Sequence, residues 1–291
     1  MKTKVLVTGS TGFIGRHFLL NATDFDIIEA DLLNKSINDI NFTGIDTVLH
    51  LAAYVHQMKH GEDSQYFKVN RDLALQIALK AKENGVKQFI LMSTVKVYGE
   101  YTNNQIAWNE ESPCFPIDSY GLSKYQAEIA IQELEDENFK VAIIRSPLVY
   151  GEGVKANMLN LIKLIDKLPI LPLGGIKNKR SLVYVGNLVA LMKHIIQKQS
   201  AGIFIAGDLE PLSTSKLINL IAKELNKRII LIKLPYFIII GMKYLKPNLF
   251  DRLFRSLILD NSNTNEILHF IPPYTTKRGI NEMINWYKRK N

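Results

Sequence analysis

Residues 4–15 of the chain read KVLVTGSTGFIG, and this stretch decides the fold. A short apolar run typical of a β-strand leads directly into three glycines, Gly9, Gly12 and Gly15, spaced three residues apart, and a helical pattern begins at Phe13. Glycines in this context permit a tight turn, close approach of the backbone to a pyrophosphate, and close packing of helix on strand. Because the N-terminus of a helix also favours anions, the stretch predicts a dinucleotide site.

Short apolar runs alternate with helical patterns along the first half of the chain. The predicted strands are Val5–Val7, Asp26–Asp31, Thr47–Leu51, Phe89–Ser93 and Val141–Arg145, and the predicted helices are Phe13–Ala22, Ser64–Asn84 and Ser119–Glu137. Nearly continuous apolar strands that alternate with helices are typical of a parallel sheet covered on both faces. We therefore predict an α/β fold with a Rossmann-like, doubly wound parallel sheet and right-handed crossovers.

The second half of the chain is less regular. It contains three helical patterns, Ala156–Leu168, Asn187–Gln199 and Thr214–Asn226, and one strand pattern, Ile203–Ala206, and prolines interrupt the remaining stretch. We expect residues 1–150 to form the dinucleotide-binding domain, with later sheet elements from roughly 180–206. Residues 151–291 are expected to form mainly a smaller C-terminal substrate-binding region.

Composition and charge limit the classes of protein to consider. The 291 residues include one cysteine, Cys114, so no internal disulfide framework is possible and a reducing, cytoplasmic location is expected. Lys2 and Lys4 lead straight into a strand, which predicts no secretory signal. The net charge is +8, and the stretch from Lys227 to the last residue holds twelve Lys and Arg against four Asp and Glu. This excess indicates either an anionic partner (a nucleotide diphosphate, nucleic acid or a membrane surface) or a solvated basic surface.

Asp31 ends the second predicted strand, sixteen residues after Gly15. A carboxylate at this position can accept hydrogen bonds from the hydroxyls of an adenosine ribose. It would also repel a 2′-phosphate, and no basic residue comes after it before Lys35. The sequence therefore predicts NAD, in preference to NADP, as the cofactor.

Tyr120 and Lys124 lie four residues apart in a predicted helix, so their side chains share one face. An ammonium beside a phenol is expected to lower the pKa of the phenol, which can then act as general base or acid on a hydroxyl or carbonyl group. Ligands of doubly wound sheets bind beyond the carboxyl ends of the strands. We therefore expect a third group, a hydroxyl, from the stretch Met92–Gly99 after the fourth strand.

Together these motifs resemble the extended short-chain dehydrogenase/reductase family, in its NAD-dependent epimerase/dehydratase branch. The matching segments in the first half are Gly9-x-x-Gly12-x-x-Gly15, Asp46–Ala53, Ser93–Gly99, Tyr120-x-x-x-Lys124 and Arg145–Gly151. Further matches to the branch that acts on nucleotide sugars are Asn178–Val185, Ser256–Asp260, and Pro272-Pro273 before Trp286-Tyr287. The resemblance thus covers nearly the whole chain.

The resemblance implies a role for each of a set of residues. The catalytic residues would be Thr94, Tyr120 and Lys124. The cofactor-binding residues would be Gly9, Gly12, Phe13, Ile14, Gly15, Asp31, Leu51, Ala52, Ala53, Asn70, Ser93, Tyr120, Lys124 and Pro147. The substrate would contact Ser93, Lys96, Asn157, Arg180 and Arg255, with Arg252 as an alternative to Arg255 and His56 as a further candidate.

The resemblance also separates the possible reactions. The 4,6-dehydratases of the family carry an Asp-Glu pair where this chain has Val95 and Lys96, so dehydration is not expected. The implied reaction is 4-epimerisation of a nucleotide-diphosphate sugar, such as UDP-glucose, UDP-galactose or their N-acetyl forms. Two alternatives stay open: a nucleotide-4-keto-6-deoxyhexosamine 4-reductase, and a non-catalytic relative that senses NAD or binds nucleic acid.

The resemblance implies a homodimer formed through the helices Ser64–Asn84 and Ser119–Glu137, and no nucleic-acid partner is expected for the enzyme. The apolar segment Pro235–Ile240, with lysines near it, could contact a membrane peripherally. The favoured expectation is instead a helix packed on the substrate-binding region.

Overall fold

The computed structural model describes residues 2–32, 34, 36–55, 63–102 and 106–290. Its strands and helices succeed one another as β1 (Lys4–Thr8), α1 (Phe13–Asn21), β2 (Asp26–Ala30), β3 (Thr47–His50), α2 (Asp63–Tyr66), α3 (Ala74–Glu83), β4 (Gln88–Thr94), α4 (Ser119–Gln132), β5 (Lys140–Ser146), β6 (Leu148–Tyr150), α5 (Ala156–Lys167), β7 (Ile170–Leu171), β8 (Leu182–Tyr184), α6 (Val185–Lys198), β9 (Gly202–Ile205), α7 (Thr214–Glu224), β10 (Ile230–Leu231), α8 (Tyr236–Leu245), α9 (Pro247–Phe254), α10 (Ser262–Leu268) and α11 (Thr276–Lys290). A π-helical segment, Phe67–Leu73, joins α2 to α3.

The central sheet has the strand order β2-β1-β3-β4-β5-β9, and every neighbouring pair in it is parallel. From β1 the chain crosses to β2 on one side and then to β3 on the other side. This reversal opens a crevice at the carboxyl ends of β1 and β3, where doubly wound sheets bind ligands. The predicted α/β class and the doubly wound parallel sheet are confirmed.

Helices cover both faces of the sheet with buried apolar side chains. On one face, Phe18 of α1 and Met192 of α6 join a cluster with strand residues such as Ile144. On the other face, Ile77 of α3 and Ala127 of α4 join a second cluster. Burial of one large aliphatic or aromatic side chain contributes about 1.5–3 kcal/mol, so these two layers hold the strand ends in place.

The later part of the chain forms a core of its own. Buried side chains of α5, α7 and α11, among them Ile162, Ile221 and Met283, pack together with Tyr150 of β6. Strand β9 nevertheless joins the central sheet, and α6 packs on one face of that sheet. The division of the chain at residue 150 into two regions stays a prediction.

Several element boundaries differ from the predicted ones, and the predicted helix Ser64–Asn84 is divided into α2, the π-helical segment and α3. Helix α4 ends at Gln132, before the predicted Glu137, because the Asp136 carboxylate accepts hydrogen bonds from the amides of Asn138 (2.8 Å) and Phe139 (2.9 Å) and so forms a turn. Strand β2 ends at Ala30, which leaves Asp31 in the loop beyond it. The end of β2 at Ala30 places Asp31 at the rim of the crevice.

The segment that contains Pro235–Ile240 is more exposed than expected. It forms α8, which makes a hairpin with α9, and none of the residues of α8 is buried. Because α8 contacts α9 and Ile239 and Met242 are partly covered, its packing on the substrate-binding region stays a prediction. In the described part of the chain, no helix is both long and apolar enough to cross a membrane.

Candidate active site

A cavity of about 760 Å³ lies at the carboxyl ends of β1 to β5. Its lining brings together most of the residues that the sequence assigned to the cofactor and to catalysis: Gly9, Gly12, Phe13, Ile14, Gly15, Asp31, Leu51, Ala52, Ala53, Ser93, Thr94, Tyr120, Lys124 and Pro147. Sequence reasoning missed several residues of the lining, among them Ser10, Ser146 and Val149. Each of these lies within two residues of a predicted one, so the loops as a whole, more than single positions, form the cavity.

The glycine turn fits a dinucleotide pyrophosphate. Gly9 has a positive φ of +69°, and the amide of Gly12 donates to the carbonyl oxygen of Gly9 at 3.0 Å. Gly12 is the N-cap of α1 and provides no side-chain cap, and the first turn of α1 holds no acidic residue. The first amides of this helix therefore face the cavity without a side chain in front of them, which suits a phosphate.

The rim of the cavity fits the adenosine end of NAD. Asp31 comes directly after β2, and its carboxylate accepts hydrogen bonds from the amide (3.2 Å) and the side chain (2.8 Å) of Asn34. These bonds orient a carboxylate at the position where ribose hydroxyls would donate. The residues present are thus compatible with NAD.

Substitutions at two of the glycines should have different effects. A methyl group at Gly15 would lie against the carbonyl oxygen of Gly9 and 2.7 Å from the Cα of Ser10, which are backbone atoms that cannot move aside. At Gly12 the nearest atom would lie 3.1 Å away, and φ is −70°. We expect Gly15→Ala to lower the free energy of unfolding by about 1–3 kcal/mol and to weaken NAD binding, with a smaller effect for Gly12→Ala. Urea denaturation and calorimetric titration with NAD measure both quantities; equal effects of the two variants would contradict this packing.

Thr94, Tyr120 and Lys124 meet inside the cavity. Thr94 is the last residue of β4, and its side chain forms a hydrogen bond with that of Tyr120. Asp118 caps α4 by accepting a hydrogen bond from the amide of Gly121 (2.7 Å), which sets the first turn of the helix and the position of Tyr120. Lys124 lies one turn further along α4, and its Nζ donates to the carbonyl oxygen of Met92 at 2.8 Å.

The pKa values of this group differ from the prediction. Burial raises the pKa of Tyr120 to about 12, even though the hydrogen bond from Thr94 lowers it, and the Asp118 carboxylate raises it further. Burial also lowers the pKa of Lys124 to about 8, against the opposing effect of Glu128. The expected lowering of the Tyr120 pKa by Lys124 is therefore wrong for this arrangement, because desolvation dominates and the ammonium group binds the Met92 carbonyl.

The low pKa of Lys124 makes a pH-dependent contribution to stability. The pKa of this amine is 10.5 in its ordinary state and about 8 in the folded chain. Below pH 8 Lys124 is protonated in both the folded and the unfolded states. The folded state then carries the full desolvation cost of the buried ammonium group. Between pH 8 and 10.5 the unfolded chain binds more protons, and stability rises with pH.

We therefore expect the unfolding free energy of the protein, relative to that of Lys124→Met, to increase by about 3 kcal/mol across this range. Urea denaturation of both proteins at several pH values measures the difference. A difference that stays constant from about pH 7 to 10.5 would show that folding does not lower the pKa of Lys124.

A buried charged network lies beneath the catalytic side chains. Arg145 on β5 forms an ion pair with Glu128 on α4, with Nη2 and Oε2 2.7 Å apart and both side chains almost fully buried. Ser93 donates its hydroxyl proton to the Glu128 carboxylate, and Arg145 donates to the Tyr98 hydroxyl at 2.8 Å. Sequence reasoning missed this network, although the position of Glu128 four residues after Lys124 gave a signal for it. Ser93 lines the cavity and donates its hydroxyl proton to Glu128, and its contact with the substrate stays a prediction.

Asn70 is absent from the cavity lining, and its predicted role in cofactor binding stays a prediction. It is fully buried in the π-helical segment, and its side chain accepts from the amide of Tyr54 (2.8 Å) and donates to the Tyr54 carbonyl oxygen (3.1 Å) and to Ser123 (3.1 Å). Asn70 thus ties the loop after β3 to α4. It supports the wall of the cavity from behind.

The predicted substrate residues, apart from Ser93 and Lys96, gather in a second place. Nη1 of Arg180 donates to the carbonyl oxygen of Arg255 at 3.2 Å, and Arg255 pairs with Asp251 at 2.6 Å. Arg252 donates to the side chain of Asn157 at 3.4 Å. We call Asn157, Arg180, Arg252 and Arg255 the arginine cluster. These residues do not belong to the cavity lining, but the three arginines form a concentration of cations that could hold a diphosphate.

Lys96, a predicted substrate residue, pairs with two carboxylates, and its contact with the substrate stays a prediction. Its ammonium forms ion pairs with Asp118 and with Glu100, the latter at 2.7 Å. Although burial opposes it, the hydrogen bonds to these two carboxylates raise the pKa of Lys96. Lys96 therefore fastens the loop after β4 to the start of α4. His56 and Lys35 lie outside the described residues.

Comparison with known proteins adds to this geometry. Residues 5–207 match the NAD dependent epimerase/dehydratase family. A UDP-glucose 4-epimerase of Vibrio cholerae is 34% identical over 100% of this chain and 97% of its own length. An N-acetyl-alpha-D-glucosaminyl-diphospho-ditrans,octacis-undecaprenol 4-epimerase of Escherichia coli O157:H7 is 28% identical over 98% of this chain and 96% of its own length.

A solved structure shows the same fold. The UDP-N-acetylglucosamine 4-epimerase of Methanobrevibacter ruminantium M1, in complex with UDP-N-acetylmuramic acid, superposes with a TM-score of 0.80 over 100% of both chains. The two sequences are 21% identical. The shared fold extends through the C-terminal region, so it includes the elements that hold the arginine cluster as well as the sheet.

Proposed function

The chain belongs to the NAD-dependent epimerase/dehydratase family, and we propose that it is a nucleotide-sugar 4-epimerase. It is an enzyme of the epimerase, dehydratase and reductase type, with NAD as its cofactor. The proposed reaction interconverts hexoses that differ in configuration at C4, as UDP-glucose and UDP-galactose or their N-acetyl forms. Similarity to the UDP-glucose 4-epimerase of Vibrio cholerae supports the choice of UDP-hexoses as substrates.

One observation carries the proposal: Tyr120 and Thr94 share a hydrogen bond in a cavity that also holds Lys124 and the glycine turn. A phenol and a second hydroxyl at one point can hold the oxygen of a secondary alcohol from two sides. This is the arrangement required to move a proton to and from O4 of a sugar. The same cavity has room for a dinucleotide beside that oxygen.

Each residue of the site would have its own part in the reaction. NAD, when bound, supplies the acceptor and donor of the C4 hydride. Tyr120 would take the proton from O4 in the first half of the reaction and return it in the second half. Thr94 would hold O4 by a hydrogen bond, and Lys124 would keep its place through the Met92 carbonyl.

An epimerase must also keep the 4-keto sugar bound while the other face of the sugar turns toward the cofactor. The arginine cluster could hold the diphosphate while the sugar ring turns, since Arg180 and Arg252 lie on different elements and can grip a phosphate from two directions. Dehydration has no support in the geometry. Val95 is buried and Lys96 is held in ion pairs, so neither can act as the acid or base of an elimination.

A 4-keto reductase is the second candidate, because the Tyr120 phenol can also donate a proton to a newly reduced O4. A reductase would use the same three side chains in one direction only. It would consume reduced cofactor in every turnover.

The two candidates differ in what they require. We expect the purified protein to interconvert UDP-glucose and UDP-galactose, or UDP-N-acetylglucosamine and UDP-N-acetylgalactosamine, without added NADH. Chromatography of the nucleotide sugars measures this directly. Turnover that begins only when a nucleotide-linked 4-keto sugar and NADH are supplied would reject the epimerase in favour of the reductase.

We also propose that the protein is a homodimer. Helices α3 and α4 pack side by side, and each leaves aliphatic side chains at the surface, among them Leu79 (40% exposed) and Ile129 (43% exposed). A second pair of the same helices could cover these side chains in a four-helix arrangement.

A further inference from the structure

Helix α8 exposes large apolar side chains along its whole length. Lys243 is the one charged residue within Tyr236–Leu245. Tyr236 and Tyr244 are each 76% exposed, Phe237 is 74% exposed and Leu245 is 83% exposed. A helix of this composition is normally buried, so its exposure needs a physical reason.

Four of the six exposed apolar side chains of α8 lie on one side of the helix, and the other two, Ile238 and Leu245, lie outside that side. Tyr236, Ile240 and Tyr244 are spaced at intervals of four residues and therefore share a face, with Phe237 beside them. Ile239 and Met242, on the opposite side, are partly covered. The helix thus uses one side for packing within the protein and presents a second apolar side outward. Tyrosines on that outer side combine an apolar ring with a polar tip, as residues at a membrane–water interface do.

Lysines surround this apolar face. Lys233, Lys243 and Lys246 are exposed, and the ion pairs found among the described residues include none of the three. They lie in the C-terminal stretch that carries the excess positive charge of the chain. An apolar face flanked by exposed ammonium groups is complementary to acyl chains beneath anionic headgroups.

The length of α8 limits how it can meet a bilayer. Ten residues of helix extend about 15 Å, about half the thickness of a bilayer's hydrocarbon core. The helix would therefore lie in the plane of the interface. This agrees with the lack of a helix able to cross a membrane in the described part of the chain.

The neighbouring helix connects this surface to the arginine cluster. Helix α9 packs against α8 and contains Asp251 and Arg252. Nη1 of Arg180 reaches the carbonyl oxygen of Asp251 at 3.4 Å, and Arg252 binds Asn157. A partner bound on α8 would thus lie one helix away from the arginine cluster.

We propose that α8, with Lys233, Lys243 and Lys246, is a docking surface for an anionic lipid bilayer. The outer face of the helix enters the headgroup region, and the three lysines bind phospholipid phosphates. The protein then rests on the membrane with its arginine cluster near the lipid surface. This surface does not depend on the proposed epimerase reaction.

Vesicle co-sedimentation tests the proposal. The probes are vesicles of phosphatidylcholine alone and of phosphatidylcholine with phosphatidylglycerol, at low salt. The intact protein should bind the anionic vesicles, and the double variant Phe237→Glu/Tyr244→Glu, which changes two exposed residues of the outer face, should bind at least tenfold more weakly. Leu20→Glu is the matched control, because Leu20 is 76% exposed on α1, outside this surface, and its replacement should leave binding unchanged.

A second double variant tests the contribution of the lysines without placing charges on the apolar face. Lys243→Gln/Lys246→Gln keeps the apolar face and should weaken binding several-fold on the anionic vesicles, while Lys140→Gln, an exposed lysine elsewhere, should not. Circular dichroism and thermal unfolding confirm that each variant is folded.

Three outcomes would overturn the proposal: no binding of the intact protein to anionic vesicles, binding by the charge and apolar variants equal to that of the intact protein, or loss of self-association in the apolar variant without any change in vesicle binding. The last outcome would assign the surface to a second copy of the chain. UDP-hexose turnover measured without vesicles tests the epimerase separately, so failure of one idea leaves the other intact.

Discussion

Replacing Tyr120 with Phe should lower kcat by about 10³-fold while leaving NAD binding within a few-fold of the original. The substitution removes the hydroxyl that is hydrogen-bonded to Thr94 but keeps the ring that lines the cavity beside Tyr66. If Tyr120 carries the O4 proton, the neighbouring phenol of Tyr66 cannot replace it, since the Tyr66 ring centroid lies 6.1 Å from that of Tyr120. Steady-state kinetics and calorimetric titration with NAD measure the two effects.

Tyr125→Phe is the matched control for this prediction. Tyr125 lies on the same helix, packs against a different apolar cluster and does not line the cavity. Its replacement should leave kcat within about two-fold, because a surface or peripheral hydroxyl contributes little to the reaction. Turnover by Tyr120→Phe equal to that by Tyr125→Phe would reject the catalytic role of Tyr120. It would also return the non-catalytic alternative to consideration.

Replacing Glu128 with Ala should lower the free energy of unfolding by about 3–5 kcal/mol. The change leaves the Arg145 guanidinium buried without its carboxylate partner and also removes the acceptor of the Ser93 hydroxyl. An unpaired buried charge costs far more than the net contribution of the pair. Urea denaturation of the purified variant measures the loss.

Glu133→Ala provides the comparison for Glu128→Ala. Glu133 comes after the last turn of α4, is exposed, and its replacement should change the unfolding free energy by no more than about 0.5 kcal/mol. The double variant Glu128→Ala/Arg145→Ala should lose less than the sum of the two single variants, because each single change strands the partner. Strict additivity would show that the two side chains do not act as a pair.

The fold was largely predictable because its determinants are local in the sequence. Apolar runs such as Thr47–His50 and the glycine turn after β1 can be recognised without knowledge of the rest of the chain. The alternation of such runs with helical patterns predicts the parallel sheet. The end of α4 was predicted less well, since it depends on the Asp136 turn and not on helical periodicity. The exposure of α8 was not predicted, because an apolar helix pattern does not reveal whether anything covers it.

The site shows where sequence patterns stop being informative. The spacing of Tyr120 and Lys124 correctly placed both side chains in the cavity. Spacing could not give their pKa values, which depend on burial by residues distant in the chain. Lys96 and Asn70 show the same limit. Lys96 forms an ion pair with Asp118, twenty-two residues away, and the Asn70 side chain accepts a hydrogen bond from the Tyr54 amide. Neither partner can be deduced from a motif.

The most direct test of the epimerase is the fate of the hydrogen at C4. Purified protein is incubated with UDP-glucose that carries deuterium at C4, without added NADH, and the products are analysed by mass spectrometry and NMR. We predict that UDP-galactose forms and retains the deuterium at C4, because the hydride removed from the sugar returns to the same sugar. Formation of UDP-galactose without deuterium, or no product from either the glucose or the N-acetylglucosamine substrate, would contradict the proposed reaction.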